Sequence, residues 1–121
     1  MNEDRYYGSD LNKWIAENCP KTFTTINIDL LLFKRTKGIL RIVESKHSSE
    51  HMGKSQFEVL KLLAWLFRLA NQFQQKIQFE VYIITGDLPY NQVKITDLVK
   101  KDFMFFDDSE SFKRWIMFED A

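Results

Sequence analysis

The sequence is poor in the residues that staple, kink or loosen a chain. It has a single cysteine, Cys19, so no internal disulfide can form, and nothing resembles a zinc-binding cysteine pair. With only two prolines and four glycines among 121 residues, collagen-like repeats, Pro-rich linkers and low-complexity tails are excluded. No apolar run approaches the length of a membrane span, and the charged residues at positions 1–5 lead into no apolar segment. No signal peptide and no membrane partner are therefore expected. A reducing, cytoplasmic setting is the expected home. Net charge is also missing, with 17 basic against 17 acidic residues.

What is present is a core. Hydrophobic residues reach 45% and aromatics 15%, enough for one domain over residues 1–121 without metal or disulfide support. The balanced charge is unevenly spread. Residues 34–61 hold seven basic and three acidic side chains, whereas residues 80–121 hold five basic and nine acidic ones. A polyanion binder needs a local basic surface rather than a basic total, so the middle of the chain permits nucleic-acid binding. Two solvated faces of opposite sign would give the same counts.

Hydrophobic periodicity predicts an α/β order. Ser9 or Asp10 can cap a short helix over 11–18, stopped by Pro20. Residues 22–34 read as a strand, Thr36-Lys37-Gly38 as a turn and 39–46 as the returning strand. A long helix is expected over 53–74, with an apolar stripe through Phe57, Leu60, Ala64 and Phe67. A strand over 79–85, a weaker helix over 95–101, a strand over 103–106 and a final helix over 109–118 follow. Such alternation makes a layered α/β sandwich.

The first hairpin carries the chemistry. Asp29 interrupts the run Ile28-Asp29-Leu30-Leu31-Leu32-Phe33, a strand apolar on both faces and so expected to be covered on both sides. The returning strand ends Glu44-Ser45-Lys46, which puts Glu44 and Lys46 on one face. If the turn pairs Arg35 with Gly38, Phe33 faces Leu40, Leu31 faces Ile42 and Asp29 faces Glu44. Two carboxylates about 5 Å apart repel unless a cation stands between them. An all-oxygen pair suits Mg2+ or Mn2+ better than zinc. Lys46 would stand beside that metal, able to hold an attacking water. A one-residue slip at the turn would send Asp29 to the other face. The competing reading is an edge ion pair of Glu44 with Lys46 or Arg41, and an Asp29 satisfied by backbone amides.

Asp29 followed across a turn by Glu44-Ser45-Lys46 resembles the PD-(D/E)XK nuclease superfamily, and residues 28–66 look most like its virus-type replication–repair (VRR-NUC) and Holliday-junction-resolvase-like members. Ile28 stands where that pattern has proline. The resemblance implies a restriction-endonuclease-like αβββαβ sandwich, a central mixed sheet flanked by helices. It implies a Mg2+- or Mn2+-dependent deoxyribonuclease whose metal is held by Asp29, Glu44 and the Ser45 carbonyl. Lys46 would be catalytic, and Gln56, early in the long helix, matches a glutamine found there in several branches. A helical glutamate upstream usually completes such sites. Glu17 is the best-placed candidate, with Asp10 and Glu3 behind it. Endonucleolytic, structure-specific or junction-resolving cleavage are all compatible, and small stand-alone members suit a phage or mobile element. A non-catalytic nucleic-acid-binding module, or a subunit active only within a larger replication or defence assembly, are the alternatives.

His47 and Lys54 are candidate DNA contacts, since they follow the expected catalytic lysine. His47 with His51 gives an unspecific metal spacing that a polar loop explains equally well. The long helix is apolar beyond one sheet face, through Leu62, Trp65, Leu66, Leu69 and Phe73. A homodimer is expected unless the C-terminal helix covers that stripe.

Overall fold

A computed structural model describes residues 10–20, 28–49 and 52–119. Their element order is α1 (Asp10–Asn18), β1 (Leu30–Lys34), β2 (Ile39–Lys46), α2 (Lys54–Phe73), β3 (Gln78–Gly86), β4 (Val93–Asp97), β5 (Asp102–Phe106) and α3 (Ser109–Ile116). The strands form one mixed sheet in the order β1-β2-β3-β4-β5. Only β2 and β3 run parallel, joined by α2. This is an α/β architecture of the expected coarse kind. Two strands, not three, are described between α1 and α2, and residues 21–27 lie outside the described set.

The first hairpin has the expected register, with Phe33 opposite Leu40 and Leu31 opposite Ile42. Gly38 makes the turn possible. Its φ is +65°, and a Cβ there would stand 2.6 Å from the Lys76 carbonyl oxygen, so a side chain is excluded by conformation and by contact. The Gly38 carbonyl also accepts the Gln78 amide at 2.7 Å, tying the turn to the start of β3.

Alternation along the central strands builds two cores. Val43, Tyr82, Ile84, Val93, Ile95 and Trp115 pack on the face covered by α3. Ile42, Leu60, Ala64, Val81 and Val99 pack on the opposite face under α2. Asn71 anchors the far end of α2 by donating to the Phe79 carbonyl and accepting the Phe79 amide, both at 2.9 Å. Helix α3 starts at Asp108, whose carboxylate accepts the Ser111 amide at 2.7 Å. No helix among the described residues is long and apolar enough to cross a membrane.

Two expectations are corrected. Residues 95–101 do not form a helix. The segment Val93-Lys94-Ile95-Thr96-Asp97 buries alternate residues as strand β4, and the β-branched side chains suit a pleated, half-covered surface. Leu98 and Val99 then close the α2 core from a turn. Strand β1 is not covered on both sides either. It is the edge of the described sheet, with Leu30, Leu31 and Phe33 exposed, so Asp29 meets solvent rather than a dry interior.

Candidate functional site

Strand β2 delivers three of the site residues from its last turn of alternation. Ile42 lies on the α2 face, so Glu44 and Lys46 lie there too. Glu44 is 3% exposed. The first turn of α2 comes down over it, and Gln56 Nε2 donates to Glu44 Oε1 at 2.8 Å. Gln56 can do this because α2 begins at Lys54, just after the strand end, with Gly53 as its extended N-cap.

Asp29 sits one residue before β1, where the chain has left the ladder. Its Oδ2 accepts both the Ser45 amide and the Ser45 hydroxyl, each at 2.9 Å. The carboxylate thereby takes the position that a strand carbonyl would hold if β1 continued. The Asp29 backbone amide faces the Glu44 carboxylate closely enough to favour its ionised form. Asp29 and Glu44 are thus neighbours, as the register requires, with the Asp29 carboxylate tied to Ser45 at the strand edge.

The electrostatics follow from that geometry. Burial pushes the Glu44 carboxyl above its ordinary value, and the charge of Asp29 pushes it further. Lys46, the Gln56 amide and the Asp29 amide pull the other way without restoring it. Ionising Glu44 beside Asp29 therefore costs free energy that a cation would return. The Asp29 and Glu44 carboxylates with the Ser45 carbonyl offer hard oxygen donors from two chain segments, the chemistry of a Mg2+ or Mn2+ site. Among the described residues no group of three His, Cys, Asp or Glu side chains is clustered for metal binding. Such a site would have two protein carboxylates, a carbonyl, and water or phosphate oxygens, a normal complement for Mg2+.

The remaining candidates are placed elsewhere. Glu17 and Asp10 are exposed on α1, and no hydrogen bond or ion pair joins either to Asp29, Glu44 or Lys46 among the described interactions. Glu3 and His51 lie outside the described residues. Lys54 is exposed at the start of α2. His47 is exposed, and its Nδ1 lies 3.1 Å from Asp87 Oδ1. Asp87 also accepts the Ser48 amide at 3.1 Å and bonds the Ser48 hydroxyl, which holds its carboxyl below the usual range. This clasp joins the loops after β2 and β3 beside the site. Sequence reading missed it because Gly86-Asp87 signals only a strand end. Arg41, offered as a partner for Glu44, lies on the opposite face and bonds Glu80.

Compared with protein-family models, curated proteins and solved structures, the chain matches none.

Proposed function

We propose that the chain is a metal-dependent deoxyribonuclease of the PD-(D/E)XK type, with the restriction-endonuclease-like fold. The observation that carries this reading is Glu44, a buried carboxylate partnered by a neutral amide and set beside a second carboxylate. The succession α1-β1-β2-α2-β3, with β2 and β3 parallel, supports it in part, supplying two of the three strands that the motif implies before the long helix.

Asp29, Glu44 and the Ser45 carbonyl hold Mg2+ or Mn2+. When bound, the metal neutralises phosphate charge and makes water a better nucleophile. Gln56 fixes the Glu44 carboxylate, and the Ser45 amide and hydroxyl fix that of Asp29. Lys46, half-buried on the same face, orients the attacking water and offsets charge developing on the phosphate. Strand hydrolysis with Mg2+ on single-stranded, duplex, flap and four-way DNA tests the reading. Lys46→Ala should reduce turnover at least about 1,000-fold, the scale of a lost transition-state contact, while Mn2+ binding by calorimetry persists. Undiminished turnover would make the lysine structural. No cleavage by the wild type, with DNA still bound, would favour the non-catalytic module.

A homodimer belongs to the same reading. Helix α3 packs on the other sheet face, and Leu62, Leu66 and Phe73 remain exposed along α2, Phe73 by 86%. Two-fold pairing of this stripe would bury it. Sedimentation equilibrium at micromolar concentration should give twice 14.5 kDa.

A further inference from the structure

The sheet carries a second row of residues away from Lys46. Lys46 pairs with Thr85, Thr85 with Lys94, and Lys94 with Phe105, so these four side chains leave one face of adjacent strands. Three strand spacings of about 4.8 Å set Phe105 about 14 Å from Lys46. Helix α2 covers Val81 and Ile83 on this face but leaves the far end open. Phe103 and Phe105 are 58% and 62% exposed, and their rings meet edge to face at 5.5 Å. Lys94 Nζ stands 5.0 Å from the Phe103 centroid.

Cavities flank this aromatic pair. One of about 600 Å³ runs along Thr85, Lys94 and Phe105 toward the Asp87 clasp. The other, about 560 Å³, opens between α2 and the β4–β5 turn, beside Phe103. Its walls include Trp65, 51% exposed, and the cations Lys61, Arg68 and Lys101. Asp97 and Asp102 also line it. Asp97 is buried and its Oδ1 is occupied by the Val99 and Lys100 amides, whereas Asp102 is exposed and repels an anion from the end of β5. Arg68 is held by the Val99 and Leu98 carbonyls, which fixes its charge at the cavity wall.

We propose that Phe105, Phe103 and Trp65, with Lys94, Lys61 and Lys101, form a binding track for an unpaired nucleic-acid strand. Three exposed aromatic side chains with ammonium groups beside them match a ligand that alternates planar bases with phosphates. Duplex bases have their faces already stacked and cannot use these rings. The track deepens the nuclease reading and rests on it for its purpose, which is to lead a single-stranded segment toward Lys46. Lys94, Phe103 and Phe105 lie on β4 and β5, apart from the Leu62, Leu66 and Phe73 stripe of α2 assigned to the dimer. Trp65 belongs to that helix, at the border of the two surfaces.

The experiment uses the full chain in EDTA, so that binding is measured apart from cleavage. The probes are a fluorescent fifteen-residue oligothymidylate and a blunt duplex of equal length. The wild type should prefer oligothymidylate. Phe103→Leu/Phe105→Leu should weaken that binding about 10- to 100-fold and change duplex binding less than about twofold, the scale of a site that stacks bases rather than one that follows phosphates. Lys94→Gln should lower the salt-dependence slope by about one. Thermal melting should show the exposed double variant folded, and Lys94→Gln alone tests the track if it is not. Equal affinity of the double variant and wild type for oligothymidylate overturns the proposal. So does a change in sedimentation with unchanged oligothymidylate binding, which would make β5 an interface between copies. Adding Mg2+ separates the two readings. Oligothymidylate bound with no single-stranded, duplex, flap or four-way DNA cut breaks the nuclease reading and leaves the track; any of them cut without oligothymidylate binding breaks the track alone.

Discussion

Glu44 and Glu80 are both buried glutamates on central strands, yet the protein treats them differently. Glu80 pairs in the ladder with Arg41, whose Nε lies 2.6 Å from its Oε1. Arg41 is itself fully engaged, donating to the Trp115 carbonyl at 2.7 Å and lying 4.3 Å and 4.0 Å from the Trp115 and Phe118 rings. On that face the charge is answered by charge, and the pair docks α3 onto the sheet. Glu44, on the other face, has no cation within ion-pair distance among the described residues and is held by the neutral Gln56 amide with Asp29 beside it. Asp97 is a third case, a buried carboxylate that caps its own turn by accepting the Val99 and Lys100 amides. Glu44 differs from both in being held by a side-chain amide at a strand end beside Asp29, and under the proposed function a metal cation would complete it.

The sharpest test of this contrast is Arg41→Ala. It leaves Glu80 buried without its cation and should cost about 3–5 kcal/mol in urea unfolding, the range for one partner lost from a buried pair. Arg41→Met with Glu80→Leu should recover most of the loss, since apolar replacement of both partners removes the desolvation cost. A loss under about 1 kcal/mol, the range of an exposed pair, would break the comparison.

A smaller effect is expected on the other face. Gln56→Leu removes the amide that lowers the Glu44 pKa, so the carboxylate should become harder to ionise. The acid limb of the cleavage rate profile should move to higher pH, and Mn2+ should bind about tenfold more weakly, as for loss of a ligand-orienting contact. An unmoved limb with full Mn2+ affinity would reduce Gln56 to a helix-start residue.

The parts of this arrangement that could be read from the sequence are the local ones. The turn at Gly38 fixes the hairpin register, which brings Asp29 next to Glu44, whereas the family resemblance alone suggests Gln56. Arg41 and Glu80 are 39 positions apart, so no spacing announces their pairing. Phe105 reaches the row of Lys46 only through three successive strand pairings. Residues 95–101 were ambiguous for another reason. Ile95, Leu98 and Val99 fit a helical period, but Ile95 serves one core and Leu98 and Val99 the other. The coverage of β1 failed for want of neighbours, because an apolar run looks the same at a sheet edge as at its centre.

The smallest expected effect bears most directly on why Glu44 is unpaired. Its folded-state pKa lies above the ordinary value, so the folded chain binds more protons than the unfolded chain between those two values. Stability therefore falls as pH rises through that window, and above it the ionised Glu44 carries its full cost. Glu44→Gln removes the ionisation while keeping an oxygen to accept from Gln56. Without metal, at pH 7.5, the variant should be more stable than the wild type, because only the wild type carries the cost of the ionised carboxylate. The difference should vanish below about pH 4, where the wild-type carboxyl is protonated in both states. Mn2+ should reverse the order at pH 7.5 by stabilising the wild type alone. Urea unfolding at both pH values, with and without Mn2+, reads all three. A variant equally destabilised at both pH values, and indifferent to Mn2+, would show Glu44 to be a structural group on the same footing as Glu80.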